Sequence, residues 1–505
     1  MSVKFDIHSH KEAFNAPEKV FYPETWFHFI GGNVSYEGIT ADLEAIAQAG
    51  ISGVHFFHGQ AGGKWPATGE EITCMSEKWE DAVKFVASEC QRLGLRFTMQ
   101  NCPGWAMAGG PWIKPENAMR TIIRTEKRVS ADALSRLHLE KPSPSSEEWR
   151  NYKDIAVIAF PTPAGAKNPV PRIAKVENVS GHNFADLLLN GRGLRLPGGG
   201  ATHTAVVNYE KPTVIRTLEL SPVQTFNHGM SYDPGVRVAM YAINESGNET
   251  KVMDAPMPAS NWQDGARMSV ACKEVFDAVS YRIEITNKHN MHIRHMCLIS
   301  GARKNNWEAE AGWTLRAFER TSDDLVQSQE SYIDAKQILD VSAFMDSEGV
   351  FRWQPPFGDE WTIMRIGHVN AGRKNAPAPP SGTGWECDKF SDSGAEVHFN
   401  GYIGHLSNGV LKGGLLKGLL LDSWECNVQT WTNKMEAEFK EHTGYDVRNW
   451  AHAFWLRGRF ARDNIAFPAR LAFDHQRTFC EQILQAHFRA WTRVGPLGDV
   501  RDCSW

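Results

Sequence analysis

The chain lacks an excess of charge of either sign. Its 505 residues include 54 Lys and Arg and 59 Asp and Glu, so the formal net charge is −5. Proteins that bind nucleic acid or anionic membranes by charge carry basic clusters, and this sequence has no such run. We therefore expect neither nucleic acid nor a membrane as a partner. A chain of this length predicts roughly two to four globular domains.

Paired cysteines and long apolar runs are also absent from the sequence. The nine cysteines are scattered, odd in number and without a C-x-x-C pair, which suggests neither a disulfide framework nor a zinc ribbon. The first residues, MSVKFDIHSHKEAF, lack the apolar core of a signal peptide, and no later stretch has the uninterrupted apolar length of a membrane span. We expect reduced thiols and, for the sequence as written, a cytoplasmic protein.

Strand and helix patterns alternate along the first 120 residues. The sequence predicts three strands, at 25–32, 51–59 and 95–105. It predicts two helices between them, from Ser35 or Thr40 to Gly50 and from Ser76 to Gly94. Three such repeats with short connections indicate a parallel sheet, either a barrel or a doubly wound sheet.

The pattern changes between about residues 160 and 345, where short alternating runs replace helical periodicity. The clearest are PTVIRTLEL (212–220), VRVAMYAI (236–243) and YRIEIT (281–286), and residues such as Gly, Pro, Asn and Asp separate them. This pattern is typical of a β-sandwich. The α/β pattern returns with WTIMRIGHV (361–369), a helix near 391–406, a strand that ends before Asp422 and a helix from Thr432 to Gly444.

The β-rich segment therefore splits one α/β domain. We predict a first part of the α/β domain at 1–160, an inserted sandwich-like domain at 161–345, a second part of the α/β domain at 346–488 and an unassigned tail at 489–505. The resulting fold class is α/β, with a split domain that is either a barrel or a doubly wound sheet.

The motif DIHSH (6–10) has the Asp-x-His-x-His form with which amidohydrolases hold a metal, because paired imidazoles suit zinc. Too few residues precede it for a good strand, no helix pattern follows it, and no matching downstream His and Asp set is present. A metal-dependent amidohydrolase is therefore the third of the functions that we consider.

Two loops combine glycine with groups that could contact a sugar. QNCPGWAMAGGPW (100–112) follows the third predicted strand, and the flat faces of Trp105 and Trp112 could either floor a sugar site or pack into a tight turn. GTGWECDKF (382–390) places Glu386, Asp388 and Lys389 before a helix, where they could bind polyols or pair with one another.

The stretch LLLDSWECNVQTW (419–431) predicts a buried parallel strand that ends on Asp422, with Glu425 three residues later. In α/β barrels the reactive groups lie at the carboxyl ends of the strands, so Glu425 is a candidate for acid–base chemistry. A helix cap or a surface salt bridge is the structural alternative.

Four of these segments together resemble glycoside hydrolase family 106, the bacterial α-L-rhamnosidases. They are TWFHFIGGNVSYEGITADLEAIAQAGISGV, QNCPGWAMAGGPWI, PSGTGWECDKFS and LLLDSWECNVQTWTNKMEAEFKEHTGYD, in the order found in that family, and the likeness covers most of residues 20–488. The resemblance implies a (β/α)8-type barrel that β-sandwich domains split and that is incomplete in this sequence. It also implies hydrolysis of terminal α-L-rhamnosides with inversion, and a calcium ion at the sugar site.

The resemblance also implies roles for single residues. Glu425 matches the family's general acid, and calcium would be bound by oxygen ligands that the sequence does not identify. The matching motifs nominate further residues as substrate-binding: His28, Asn33, Asn101, Trp105, Glu386, Asp388 and Asp422. The expected partner is a rhamnose-containing oligosaccharide, polysaccharide or glycoside.

The end of the sequence departs from the family pattern. Family members continue past the predicted helix at 474–488 into further barrel strands, one of which carries the second catalytic glutamate, whereas here RAWTRVGPLGDVRDCSW follows. We expect a truncated reading frame that lacks the catalytic base. The alternative to a feeble α-L-rhamnosidase-like enzyme is then a non-catalytic, carbohydrate-binding relic of the same fold.

Overall fold

The structure is a computed structural model that describes most of residues 14–448. Its description leaves out residues 1–10, 12–13, 61–71, 107, 131–136, 143–150, 164–165, 167–169, 222–223, 226–235, 257–267, 304–332, 334, 358–359, 423–424, 427–428 and 449–505. The DIHSH motif, the predicted helix at 474–488 and the tail at 489–505 therefore lie outside the described residues.

The chain divides into two compact units. The described part of the first comes from residues up to 120 and from 370–432, and that of the second from 121–369 and 433–448. A long excursion of the chain thus separates the two segments of the first unit. No described helix is long and apolar enough to cross a membrane.

A parallel sheet of four strands organises the first unit. Its strands, in spatial order, are Glu24–Ile30, Gly53–Gly59, Arg96–Gln100 and Gly418–Leu420. All three strands predicted in the first 120 residues are confirmed. The fourth strand belongs to the later segment of the first unit, residues 370–432. It pairs with the third strand through Gly418↔Thr98, Leu419↔Met99 and Leu420↔Gln100. A single α/β sheet is therefore assembled from both segments.

The two helices between the first three strands begin and end where the sequence predicts. Tyr36–Gln48 is capped by Ser35, whose hydroxyl accepts a hydrogen bond from the Gly38 amide at 3.0 Å. Glu77–Leu93 is capped by Ser76 and ends at Gly94, which has a φ of +68° that glycine adopts without a Cβ clash. The apolar stripe of this second helix, including Trp79, Val83 and Cys90, packs on the sheet face that carries Phe27, Phe29, Phe56 and Phe97.

The first unit also contains shorter elements outside the parallel sheet. Its helices are Asp392–Gly401 and Ile403–Asn408, which together occupy the helix predicted near 391–406. Short strands at Gly109–Gly110 and Trp385–Glu386 pair antiparallel, and 3-10 turns lie at Lys19–Phe21, Pro115–Asn117 and Pro380–Gly382.

The second unit is dominated by antiparallel sheets. A five-stranded sheet has the order Glu249–Pro256, Val236–Ile243, Asp277–Asn287, Thr202–Val214 and Lys175–Glu177. A three-stranded sheet has the order Met268–Ala271, Thr217–Leu220 and Met296–Ile299, and another has the order Gln224–Thr225, Met291–Ile293 and Leu194–Leu196. Side chains from the three sheets form one apolar core with the helix Phe184–Asn190. The predicted run 212–220 is therefore two strands in different sheets.

The segment 361–369 differs from its prediction as a returning α/β strand. It lies in Glu360–Asn370, which pairs antiparallel with Lys153–Pro161 in a four-stranded sheet that also contains Leu339–Asp340 and Arg120–Ser130. A uniformly apolar strand reads alike in a parallel sheet and in a doubly covered antiparallel one, so the sequence could not separate them. The remaining elements of this unit are Leu137–His138, Val350–Phe351, the helix Met435–Thr443 and 3-10 turns at Ala335–Gln337 and Ser342–Phe344.

The fold class is thus mixed α/β, with many strands and few helices. The described strands of the first unit form four neighbours of a parallel sheet, and the closed barrel stays a prediction. The domain boundaries predicted at 160, 345 and 488 likewise stay predictions.

Ser76→Ala should weaken the first unit, because the Ser76 hydroxyl accepts from the Trp79 amide at 3.3 Å at the start of the helix. Loss of an N-cap of this kind costs about 1 kcal/mol. Urea unfolding of the purified chain measures the change, with Ser76→Thr as the control that keeps the hydroxyl. An unchanged midpoint for Ser76→Ala would mean that packing alone sets the helix start.

Candidate active site

The carboxyl ends of the four parallel strands bring several predicted site residues to one edge. Asn33 follows the first strand, Asn101 follows the third, and Asp422 and Glu425 follow the fourth. The Asn101 amide donates to the Leu420 carbonyl at 3.0 Å, so the third and fourth strand ends are joined directly. Loops at this edge carry the reactive groups in parallel α/β folds.

Glu425 and Asp422 are both partly exposed, whereas the next residue, Cys426, is buried. Cys426 packs with Met119 and Ala371, and its thiol lies 3.8 Å from the Met119 sulfur. A partly exposed acid next to an anchored side chain has the access to solvent that proton transfer to a substrate requires. The position agrees with the predicted role of Glu425 as an acid, which itself stays a prediction.

His28 lies on the sheet face that is turned away from the helices, because its neighbours Phe27 and Phe29 belong to the helix-packed core. Its ring contacts Phe57 at a centroid distance of 5.2 Å. Within the described part of the chain its Nε2 is buried without a hydrogen-bond partner, and burial lowers the pKa of the imidazole. A neutral His28 is thus available as a hydrogen-bonding group.

The two tryptophans of the 100–112 loop have different environments. Trp105 is 37% exposed, and its amide donates to the Ala376 carbonyl at 3.3 Å. Trp112 stacks on Tyr402 with ring centroids 5.5 Å apart, and a Cβ on Gly401 would come within 2.2 Å of the Trp112 ring. Trp105 therefore offers an accessible face near the sheet edge, while Trp112 is used in packing.

His398 fixes the Asn101 backbone through one hydrogen bond and is itself fixed by a second one from Trp112. The Nε2 of His398 hydrogen-bonds the Asn101 carbonyl at 2.9 Å, and the His398 Nδ1 accepts from the Trp112 indole at 3.2 Å. Because the indole only donates, this pattern fixes His398 as the neutral Nε2–H tautomer. Asn101 itself is fully buried, so its position is set by the packing around the loop.

Asp388 is an internal hydrogen-bond acceptor in this structure. It is 1% exposed, and its Oδ1 accepts from the Gln429 side-chain amide at 2.5 Å and from the Phe390 amide at 3.1 Å. Its Oδ2 accepts from the Thr432 hydroxyl at 2.8 Å. Burial raises the pKa of Asp388, whereas these three donors and the charge of Arg120 oppose the rise. The carboxylate therefore holds protein segments together in this structure, and its role as a pocket-lining group stays a prediction.

Glu386 and Lys389 form a fully buried ion pair. The Lys389 ammonium donates to the Glu386 Oε2 at 2.6 Å, and neither side chain is exposed. The sequence left open whether Glu386 and Lys389 bind a polyol or pair with each other. The structure shows the pair. The Glu386 side chain is buried in this structure, and its role as a pocket-lining residue stays a prediction.

Together the residues 386–389 contact the segment that contains Glu425. The Lys389 amide donates to the Gln429 Oε1 at 3.1 Å, and Asp388 binds both Gln429 and Thr432. We refer to residues 386–389 as the buried clamp. It holds the chain on the carboxyl side of Glu425 in place.

His58 is a residue of this edge that the sequence analysis did not select. It stands at the end of the second strand, is 1% exposed, and accepts from the Trp79 indole at its Nδ1 with a distance of 2.8 Å. Burial lowers the pKa of His58 to about 4. A histidine in the last positions of a predicted parallel strand, HFFHG, was the signal that could have identified it.

Calcium binding requires six to eight oxygen ligands. Among the described residues no group of three or more His, Cys, Asp and Glu side chains is arranged to hold a metal ion. The buried clamp does not fit a divalent cation, because the Asp388 oxygens are occupied by donors and an ammonium stands beside Glu386. Calcium therefore stays a proposal, and its ligands are unassigned. The carboxylates of Asp422 and Glu425 at the sheet edge are partly exposed.

A family model described as alpha-L-rhamnosidase matches residues 15–496. The chain belongs to glycoside hydrolase family 106. The resemblance seen in the four sequence segments is thereby confirmed, and the match extends across both described units.

The family 106 chain covers only part of the length of two related proteins. A protein of Formosa agariphila named "Putative beta-glucuronidase" is 26% identical over 484 residues, which are 95% of this chain and 29% of that protein. The structure of a rhamnosidase from Novosphingobium sp. PP1Y matches with a TM-score of 0.71 and 23% identity, over 96% of this chain and 46% of that one. The solved structure supports the fold, and the chain spans less than half the length of either protein.

His58 should make the stability of the chain pH-dependent. Its pKa is about 4 in the folded protein against 6.5 when unfolded, so the unfolded state takes up a proton first as the pH falls. Stability is therefore full above pH 6.5 and decreases as the pH falls toward 4, by about 2 kcal/mol at pH 5.

Urea unfolding at pH 7 and pH 5 tests this expectation. His58→Asn keeps an acceptor for Trp79 but does not titrate, so the variant should lose about 2 kcal/mol less than the wild type between the two pH values. An equal loss in both proteins would show that His58 is protonated as readily in the folded as in the unfolded state.

Proposed function

We propose that this chain provides the acid-bearing part of an inverting α-L-rhamnosidase. The observation that carries the proposal is the placement of Glu425 just past a parallel strand whose neighbour ends at Asn101, in a chain of family 106. At this edge a partly exposed carboxylic acid can protonate the oxygen of the leaving group while the anchored Cys426 limits its movement.

Inversion also requires a base on the opposite face of the sugar, with roughly 6.5–9.5 Å between the two carboxyl groups to admit a water molecule. Glu386 cannot supply it, because its side chain is fully buried and paired with Lys389. The carboxylates that follow Glu425 in the described sequence, such as Glu438, Glu441 and Asp446, lie on or after the helix Met435–Thr443 of the second unit. We assign no base, and we propose that the chain alone is a feeble catalyst.

Calcium, with ligands that are unassigned in this chain, would supply oxygen coordination to hydroxyls of the rhamnose ring when bound. The residues of this chain bind and orient the sugar from their own positions. Trp105 offers an apolar face to the sugar ring. His28 presents a neutral imidazole on the sheet face that is turned away from the helices.

We also propose the finer fold that this function requires. The four parallel strands would be consecutive neighbours in a (β/α)8 barrel that the second unit interrupts, since the third and fourth strands pair directly although most of the chain separates them. The shared core of the antiparallel sheets supports a β-sandwich in the interruption.

A non-catalytic carbohydrate-binding protein is the second candidate. It is favoured by the exposed face of Trp105 and by the burial of Glu386 in an ion pair with Lys389. The name of the Formosa agariphila relative adds a β-glucuronide as a substrate to be tested beside a rhamnoside.

Release of L-rhamnose from an aryl α-L-rhamnoside, with calcium added, tests the proposed activity. We expect slow turnover of the rhamnoside, and none of an aryl β-glucuronide. Binding of L-rhamnose without any turnover would favour the carbohydrate-binding alternative. Turnover at rates that are normal for glycosidases would contradict the proposal that the chain alone is a feeble catalyst.

The leaving group distinguishes a general acid from a merely structural carboxylate. Glu425→Gln should reduce hydrolysis of alkyl rhamnosides by about 10²–10⁴-fold and of nitrophenyl rhamnosides much less, because a nitrophenolate departs without protonation. Steady-state rates for both substrates give the comparison, with Glu441→Gln, an exposed carboxylate of the last described helix, as the matched control. An equal loss on both substrates would assign Glu425 a positional or ligand role.

A further inference from the structure

We propose that Lys389 is a positioning residue for the acid Glu425, acting through the residue that follows the acid, Cys426. This inference rests on the proposed function of Glu425 and assigns a role to a group that the proposed reaction does not itself use. The Lys389 side chain is fully buried at the edge that carries the candidate site.

The Lys389 side chain is enclosed by groups from three segments of the first unit. Its ammonium donates to the Glu386 carboxylate at 2.6 Å and to the Cys387 carbonyl at 3.5 Å, and it lies 3.9 Å from the Met119 sulfur. Burial disfavours the ammonium, but neighbouring Cys426 and Glu386 outweigh burial and raise the pKa of Lys389. The lysine is therefore charged in the folded protein.

Cys426 links this ammonium to the acid. Its thiol is 3% exposed and lies 3.8 Å from the Met119 sulfur, which is itself 3.9 Å from the Lys389 ammonium. Burial raises the pKa of this thiol, and the neighbouring Lys389 opposes the rise. Lys389 and Cys426 thus share Met119 as a neighbour. Because Glu425 is bonded directly to Cys426, a shift of the Cys426 side chain moves the backbone from which the Glu425 carboxyl projects.

The backbone of Lys389 adds a second connection to the same segment. Its amide donates to Gln429, whose side-chain amide donates in turn to Asp388 and to the Trp431 carbonyl at 3.0 Å. This contact needs only the peptide group and survives substitution of the side chain. A change at position 389 therefore tests the ammonium while leaving the Gln429 connection in place.

A purely structural role is the competing explanation. A buried carboxylate without its partner is strongly destabilising, so Lys389 could serve only to neutralise Glu386. The double variant E386Q/K389M separates neutralisation of Glu386 from positioning of Cys426. It removes both charges at similar side-chain volume, so no unpaired carboxylate remains, but it does not restore the ammonium beside Cys426.

The activity part of the test uses the leaving-group comparison on the whole chain, with K389M, E386Q/K389M and wild type. A displaced acid fails most with poor leaving groups, so we expect both variants to lose at least about tenfold more rate with an alkyl rhamnoside than with a nitrophenyl one. Loss of folded protein would lower both rates equally.

The second part does not depend on activity. Each protein is treated with a thiol reagent without denaturant, and labelling is quantified at each cysteine by mass spectrometry. We expect Cys426 to become labelled in both variants while Cys90, which is fully buried among the helices of the same unit, stays protected as in the wild type. Equal labelling of both cysteines would report general unfolding.

The outcomes are distinct. Selective exposure of Cys426 with the leaving-group effect supports the proposal. A double variant that matches the wild type in both measurements overturns it, as does exposure of Cys426 and Cys90 together. If the wild type hydrolyses no rhamnoside, the proposed function fails, and the labelling of Cys426 alone decides whether Lys389 positions its segment.

Discussion

The parallel pairing of Arg96–Gln100 with Gly418–Leu420 is the contact on which the rest of the first unit depends. It joins two strands that are separated in the sequence by residues 101–417, and the hydrogen bond from the Asn101 amide to the Leu420 carbonyl closes its end. Parallel strands bring their carboxyl ends to one edge. This pairing is therefore what places Asn101 and Glu425 on the same edge. Cooperative burial of Met99 and Leu419 against the helices stabilises it.

The polar groups behind this edge are arranged to restrain it. His398 holds the Asn101 carbonyl, and the buried clamp holds the chain after Glu425. Charged side chains at such depth persist only when they are paired and hydrogen-bonded, and the donors around Asp388 and the ion pair of Glu386 with Lys389 meet that condition. A site that is held in this way keeps its geometry before a substrate arrives, which is the condition for effective proton transfer.

Local signals in the sequence predicted the first three strands, both of their helices and the strand before Asp422. They succeeded because Ser76, Gly94 and the apolar stripe act within a few residues of one another. The sequence could not show that 361–369 joins an antiparallel sheet, since that choice is made by distant partners. Nor could it show which of Glu386, Asp388 and Lys389 are buried, because a charged triplet before a helix looks the same whether it faces solvent or a protein donor. The likeness to family 106 supplied the role of Glu425, which spacing alone left open.

The central claim is that the carboxyl edge of the parallel sheet binds the sugar. Hydrogen–deuterium exchange of the whole chain, with and without saturating L-rhamnose in the presence of calcium, tests it most directly. The account predicts slower exchange in the segments that follow the strands Arg96–Gln100 and Gly418–Leu420. Slower exchange confined to the antiparallel sheets between residues 175 and 299, or no change anywhere, would contradict it.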